Sequence, residues 1–502
     1  MNQKISIYIF LSLFVLACQA RVKVDTGSQF MADEFNHSLL YHGVNVVYKL
    51  PPFYPPSETF DANYSLADED LKNLNDWGMN VIRLHIAWEG VEPARGEYNH
   101  TYLEALRSIV QRAAKYNISV IIDAHQDAWG RRFCGEGMPD WATKLDSFPF
   151  PLIFSKLDYD EKGFPTIESC LQRSFALYYF TRDVSTNFQR LYNNEDGLRD
   201  SFGEFWKLAA SYFKDLPNVI GYELINEPWW GDIYMDLRNV YEPNTKNLMP
   251  FYRELHKAIR QVDNDTIIMF EPVTTSYLGI GFLDGPGGQE YNDRQVLAYH
   301  VYCMFNDGPG DPVSHTVCEL MDRWVYAVHR NGEDFIGIPG FVTEFGAVTS
   351  SDRGITELKS VTDKADESFQ SWAYWQFKWF GDFTTADNPP QGESLYSVDG
   401  KLLTKKMEVL SKPYFYSTCG TPKKYKFDAD AKTLNFSYVY NNCGDRLSQF
   451  YASSDFHYQN GVDATVDCAG CTITQIDANH YAISHPETLQ AGAIVNVVVK
   501  RK

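Results

Sequence analysis

Beyond residue 20 the chain has no apolar run long enough to cross a bilayer, so no transmembrane segment is expected after that point. It lacks internal repeats and low-complexity tracts, which excludes solenoids and disordered scaffolds. No glycine-rich phosphate loop follows the first strand-like run, which argues against an open, doubly wound nucleotide-binding sheet. Positive charge is scarce: 45 Lys and Arg stand against 65 Asp and Glu, giving a formal net charge of -20 and a pI near 5.0. Such a surface repels polyanions, so nucleic acid is not an expected partner. Cysteine is sparse, with nine in 502 residues, and no cluster with metal-ligand spacing appears. No metal and no cofactor are therefore expected.

What is present is a large globular composition, 44% hydrophobic and 15% aromatic, enough for one large core and a smaller module. Residues 2–20 hold Lys4, an apolar run over 5–17 and small residues up to Ala20, the pattern of a secretory signal peptide. Cys18 behind Val15-Leu16-Ala17 loosely resembles a bacterial lipoprotein site. The N-glycosylation sequons at Asn36, Asn63, Asn99, Asn117, Asn264 and Asn435 favour a eukaryotic route instead. A secreted or lumenal protein is expected. Setting Cys18 aside leaves an even number of cysteines, suited to disulfides. Cys134 with Cys170 and Cys303 with Cys318 are local candidates, and Cys419, Cys443, Cys468 and Cys471 are expected to pair among themselves. A zinc or redox reading of Cys468-x-x-Cys471 lacks a partner cluster.

Eight apolar, β-branched runs alternate with helical patterns: 39–49, 80–86, 119–125, 219–227, 266–272, 295–302, 341–346 and 371–378. Near-continuous apolar runs separated by helices indicate parallel strands covered on both faces. The intervening segments 67–77, 102–116, 201–213 and 251–262 carry helical spacing. This pattern predicts an α/β fold, a (β/α)8 TIM barrel over residues 21–412. From residue 413 to 502 helical patterns stop and short alternating runs predict a small all-β sandwich.

In such a barrel the chemistry sits at the C-terminal ends of the strands. There stand Lys49, Arg83, His125 with Asp127, Asn226 with Glu227, His300 with Tyr302, Glu344 and Trp375. Pro228 should end the fourth strand directly after Glu227. Strands four and seven can face each other across the mouth, so Glu227 and Glu344 are the candidate catalytic pair for retaining glycoside hydrolysis. Asn226 could meet a sugar 2-OH. His300 and Tyr302 could hold the pair in opposite protonation states, and Arg83 would keep Glu344 ionised. Two long insertions, 128–200 and the segment after strand four, carry Trp129, Trp141, Phe148-Pro149-Phe150-Pro151, Trp229 and Trp230. Trp229 and Trp230 are candidates for an apolar wall beside Glu227.

Asn226-Glu227-Pro228 and Thr343-Glu344-Phe345-Gly346, with Arg83, His125, His300-x-Tyr302 and Trp375 in order, resemble glycoside hydrolase family 5. Gly43-Val-Asn-Val-Val-Tyr-Lys49, Asp123-Ala-His-Gln-Asp127, Gly221-Tyr-Glu-Leu-Ile-Asn-Glu-Pro228 and the terminal β module are similar to the endoglycoceramidases. The resemblance implies an enzyme that cleaves the β-glucosidic bond between an intact oligosaccharide and ceramide in glycosphingolipids. It implies Glu227 as acid/base and Glu344 as nucleophile. Lys49, His125, Asp127 and Asn226 would hold the glucose, with Tyr302 near the nucleophile, Trp375 as sugar platform, and Arg83 and His300 in support. The substrate would be met in micelles or membranes, and a monomer is expected. An alternative within the family is action on simple glucosylceramide, a steryl glucoside or a β-glucan.

Overall fold

A computed structural model describes residues 21–145, 157–274, 281–307, 310–384 and 392–502. The expected signal peptide and the run Phe148-Pro149-Phe150-Pro151 lie outside the described residues. Three short strands come first: β1 (Lys23–Asp25), β2 (Phe30–Ala32) and β3 (Ser38–Leu39). Eight parallel strands then close into a barrel: β4 (His42–Val46), β5 (Val81–His85), β6 (Ser119–Asp123), β7 (Val219–Glu223), β8 (Ile267–Phe270), β9 (Gln295–Val301), β10 (Gly340–Gly346) and β11 (Ser371–Trp375). They are buried nearly throughout, as their continuous apolar sequences require. Gly43 fixes the β4–β5 approach, because a Cβ there would lie 2.0 Å from the Val81 carbonyl oxygen.

All eight expected strands are present, but several are shorter at the C-terminal end. β7 leaves the ladder at Glu223, four residues before the expected stop, and Glu227 has a φ of 39°. Pro228 is thus not what ends the strand. Past the ladder, Gln126 Nε2 donates to the Asn226 and Glu227 carbonyls at 2.8 and 3.1 Å and ties residues 125–127 to 226–227. The helices start where their caps dictate. The Asp70 carboxylate accepts from the Ala67 N–H at 2.8 Å ahead of helix Asp68–Asp76, and Asn99 Oδ1 accepts from Tyr102 N–H at 3.1 Å for helix His100–Ala114.

The C-terminal residues form β12 (Tyr414–Thr418), β13 (Gly420–Asp428), β14 (Thr433–Tyr440), β15 (Leu447–Tyr451), β16 (Val462–Val466), β17 (Thr472–Gln475), β18 (His480–Ser484) and β19 (Ile494–Arg501). One sheet has the order β13-β14-β19-β16, and the other β1-β2-β3-β12-β15-β18-β17. Residues 23–39, counted with the barrel on sequence grounds, therefore supply three strands to the second sheet. Strands this short carry too few alternations to be read locally. Phe415 and Phe436 stack at 3.9 Å between the sheets. The sandwich meets the barrel at the N-terminal ends of its strands: His42 lies between Trp372 and Tyr414, with centroids at 4.2 and 3.7 Å, and the Tyr414 hydroxyl donates to the Gly78 carbonyl at 2.8 Å. It therefore braces the face remote from the strand ends that carry the candidate residues.

The disulfides are Cys134–Cys170, Cys303–Cys318, Cys419–Cys443 and Cys468–Cys471. The last ties up both sulfurs that a zinc or redox reading of Cys468-x-x-Cys471 would need. Beyond β11, Lys378 turns into the helical layer, where its ammonium bonds Asp70 at 2.6 Å and Ser65 Oγ at 3.0 Å with no side-chain exposure on either charged partner. Lys378→Met would leave the Asp70 carboxylate buried and unpaired, at a cost of about 3–5 kcal/mol. A thermal melt should show the variant unfolding at lower temperature, and a curve superposable on the parent's would contradict this.

Candidate active site

The strand ends converge on Arg83, whose side chain is fully buried. Its Nε meets Glu223 at 2.5 Å, Nη1 meets Glu344 at 2.6 Å and Asn45 at 3.0 Å, and Nη2 meets Asn226 at 2.9 Å and Asp123 at 3.0 Å. Glu271, closing β8, lies 3.4 Å from Nη2. A planar, permanently charged fork suits this arrangement as an ammonium would not. Burial pushes Glu344 up and outweighs the Arg83 guanidinium, which pulls it down. The expectation that Arg83 keeps Glu344 ionised thus left out burial, which works against it.

Glu227 and Glu344 stand on either side of His300. His300 Nδ1 is 2.9 Å from Glu227 Oε1 and 3.4 Å from Glu344 Oε2, and the two carboxyl oxygens lie within 4.8 Å of one another. The Tyr302 hydroxyl donates to Glu344 at 3.1 Å. The Glu227 backbone N–H donates to Glu271 at 3.2 Å, which anchors the left-handed turn. Burial, helped by the Asp127 charge, raises Glu227 to about 7. Burial lowers His300, keeping the imidazole neutral between the two acids. Glu344 has two donors, Arg83 and Tyr302, that favour its charged form; Glu227 has a strained turn and a neutral imidazole. The two carboxyls thus sit in unlike surroundings.

Lys49, Asp127, His125 and Trp375 form a second cluster at the same mouth. The Lys49 ammonium bonds Asp127 at 2.8 Å, lies 3.0 Å from Asp382, bonds the Thr384 hydroxyl, and sits 4.8 Å above the Trp375 ring. His125 stacks on Trp375 at 5.3 Å and binds Asp123 through Nδ1 at 2.7 Å. Trp375 Nε1 donates to Glu393 at 3.0 Å, and the Tyr179 hydroxyl to Asp127 at 3.2 Å. Asn226 Nδ2 donates to the Gln126 carbonyl at 3.0 Å while its Oδ1 takes the Arg83 bond.

All ten sequence-predicted residues thus meet at one mouth. Sequence reasoning missed Glu223, Glu271, Asp382, Thr384, Glu393 and Tyr179 as partners. Glu271-Pro272 at a strand end was a usable signal. The others stand within a strand, in a short helix (Tyr179) or in long loops, where nothing local marks them. Besides Glu227, His300 and Glu344 themselves, two further sets of acidic and histidine side chains at this mouth could suggest a cation site: His125, Asp127 and Glu136, and Glu223, Glu271 and His300. In each the position is already taken by a protein cation, Lys49 in the first and Arg83 in the second.

Lys49, His125, Asp127, Glu227, His300, Tyr302, Glu344 and Trp375 line a cleft of about 440 Å³ whose other side is apolar, while Arg83 and Asn226 stand behind that lining. Phe175, Phe180, Trp229 and Met304 face it. Trp229 meets Phe180 edge-on at 4.9 Å. Trp230 stacks behind Trp229 at 4.9 Å and is not part of the lining, which corrects its assignment to the wall. Phe180, Met235, Leu237, Met304 and Phe305 are exposed on loops at this end of the barrel.

A family model described as Cellulase (glycosyl hydrolase family 5) matches residues 52–381, and the Glycoside hydrolase family 5 C-terminal domain matches 412–499. The chain belongs to glycoside hydrolase family 5. Within that family it is 36% identical over 480 residues to an endoglycoceramidase of Cyanea nozakii, covering 94% of this chain and 92% of the relative. It is 35% identical over 448 residues to an endoglycoceramidase of Hydra vulgaris, covering 88% and 82%. The fold matches endo-glycoceramidase II from Rhodococcus sp. with a TM-score of 0.74 at 23% identity, over 94% of this chain and 99% of that one. As a family 5 member the chain is a glycoside hydrolase.

Burial pushes His125 down, but Asp123 and Asp127 together raise it to about 9 from the ordinary 6.5. The folded state therefore holds this proton more tightly than the unfolded one. The associated stability is complete below about 6.5 and is lost as pH rises through about 9. Thermal melts across this window should show that decline in the parent and a flatter profile in His125→Asn.

Proposed function

We propose that this chain is a retaining endoglycoceramidase, releasing intact oligosaccharide and ceramide from glycosphingolipids. The observation that carries the reading is the pair Glu227 and Glu344, with oxygens within 4.8 Å across one neutral imidazole, between a polar pole and an apolar wall. A spacing of about 5 Å suits direct attack by one carboxylate while the other protonates the leaving oxygen. Glu344 attacks the anomeric carbon as Glu227 gives its proton to the ceramide oxygen. The C–O bond breaks with its electron pair on that oxygen, and a glycosyl ester forms on Glu344. Glu227, now a carboxylate, takes a proton from water, whose oxygen attacks the same carbon and frees Glu344 with net retention.

Lys49, Asp127, His125 and Asn226 hold the glucose hydroxyls, and the Trp375 face carries the ring. Tyr302 and Arg83 hold Glu344 in line, and His300 keeps the two acids apart in protonation. The apolar side at Phe175, Phe180 and Trp229 receives the lipid, which supports a glycolipid over a soluble glucan. The disulfides and the exposed sequon residues Asn36, Asn99, Asn117 and Asn264 support a secreted or lumenal setting. The exposed loops Met235, Leu237 and Phe305 support work at a micelle or membrane surface.

Incubation with a fluorescent ganglioside and with a soluble β-glucan tests the reading: the ganglioside should yield oligosaccharide and ceramide, and cleavage of the glucan alone would defeat it. A 2-fluoro glycoside should leave a covalent adduct on Glu344. Glu227 must hold its proton to act as acid. With that carboxyl near 7, kcat/KM should fall as pH rises through about 7. Glu227→Gln should lower kcat by about 10²–10⁴-fold and abolish that limb.

A further inference from the structure

The cleft does not end at the two carboxyls. Past Tyr302 and Ala347 it continues as an arm between the loops that follow β9 and β10, reaching the helices His315–Ile336 and Asp352–Glu367. Val325, Val348, Leu358 and Val361 wall this arm, and the Cys303–Cys318 disulfide runs beside it. One side chain breaks the apolar lining. Glu357 is 4% exposed, one of its carboxyl oxygens lies within 4.8 Å of a sulfur of each cysteine, and among the described residues no N–H or hydroxyl donates to either oxygen.

Buried carboxyls are ordinarily paired, since leaving one dry and unbonded is costly. The nearest acid, Asp322, already accepts the Ser360 hydroxyl at 2.7 Å and has its own Oδ1 left over. Glu357 and Asp322 hydrogen-bond one another, which needs a proton between the two carboxyls. Burial and then the Asp322 charge push Glu357 up to about 8, with Lys364 pulling the other way. Glu357 is thus a neutral carboxyl at neutral pH, with one face turned to Asp322 and the other to the arm. The hydrolysis itself has no use for such a group. With that proton bonded to Asp322, the oxygen facing the arm is an acceptor, which matches the O–H of an alcohol and not a hydrocarbon.

Resting on the reading of the site as an endoglycoceramidase, we propose that this arm receives one alkyl chain of the ceramide and that Glu357 recognises a hydroxyl carried on that chain. The residue is then a specificity determinant and not a catalytic one. The apolar walls take methylenes, and the carboxyl bonds an alcohol that would otherwise be desolvated without compensation.

The test uses one fluorescent headgroup on three ceramides in the same detergent: unhydroxylated, 2-hydroxyacyl, and with an extra hydroxyl on the sphingoid base. The parent protein should cleave one hydroxylated form with kcat/KM about tenfold above the unhydroxylated form. Which form it prefers identifies the chain in the arm. Glu357→Leu should erase that preference by losing about tenfold on the hydroxylated substrate alone, through KM, while Glu357→Gln, which keeps a donor and an acceptor, should retain part of it. Equal rates on all three substrates with the parent, or the same proportional loss on all three in Glu357→Leu, would overturn the proposal. Should Glu357→Leu not fold, the parent's own preference and its decrease in Glu357→Gln decide the matter, and a preference unchanged in Glu357→Gln and in Glu357→Ala overturns it. Cleavage of none of the three by the parent would instead overturn the proposed function on which the inference rests.

Discussion

One guanidinium holds the barrel mouth together. Arg83 reaches side chains from or just beyond β4, β6, β7, β8 and β10, and it does so without contact with water. Four buried carboxyls around one cation cannot all be charged. Glu223, bonded at Nε, is lowered despite burial, whereas Glu271 is raised well above its ordinary value by burial and by Glu223 beside it. A protonated Glu271 still accepts the Glu227 backbone N–H and thereby fixes that residue's turn. The placement of the acid/base candidate thus traces back, through Glu271 and Glu223, to the charge on Arg83. Such a network is costly unless every member is satisfied, which explains why so many strand ends contribute to it.

A second cation repeats the device. Lys49 gathers Asp127, Asp382 and the Thr384 hydroxyl, and its ammonium lies over Trp375, so the ring is held by charge from one side and by His125 stacking. The two clusters are joined through Asp123, which touches both Arg83 and His125. A polar pole built this way is held in place by its own ion pairs and hydrogen bonds, the preorganisation that the proposed sugar-binding role calls for. The apolar side is built differently, from insertion loops with exposed Met235, Leu237, Met304 and Phe305. Rigid charge recognition and an adaptable apolar surface share one cleft. The β sandwich takes part in neither: its stacking through Tyr414 and His42 lies at the opposite strand ends, where it adds support without constraining the mouth.

Much of this was legible in the sequence. The strand-helix alternation, the all-β tail and the ten polar and aromatic residues at strand ends follow from hydrophobic period and from residue type, both of which are local. Cysteine spacing also pointed to the Cys134–Cys170 and Cys303–Cys318 pairs. What failed did so for physical reasons. The stop of β7 was assigned to Pro228, but the ladder ends at Glu223 and cross-barrel hydrogen bonds hold the residues beyond it. Trp230 looked like a wall residue by adjacency, yet successive residues in irregular backbone need not face the same way, and it stacks behind Trp229. β1 to β3 join a sheet whose other strands follow some four hundred residues later, a pairing no window along the chain contains.

The glutamate at position 227 gathers both halves of this lesson. Sequence alone determined that a carboxyl stands at the end of a buried strand, that a second stands at Glu344, and that an arginine and a histidine lie on strands between them. Chain chemistry fixes those identities whatever the fold does. The protonation of each carboxyl was a tertiary matter. It depends on desolvation and on distances of a few ångströms to Arg83, His300, Asp127 and Glu271, and only barrel closure sets those distances. Likewise, nothing in the helical pattern around Glu357 distinguishes it from a solvated glutamate. Its setting arises because the packing of two helices places it against Asp322 on one side and an apolar arm on the other.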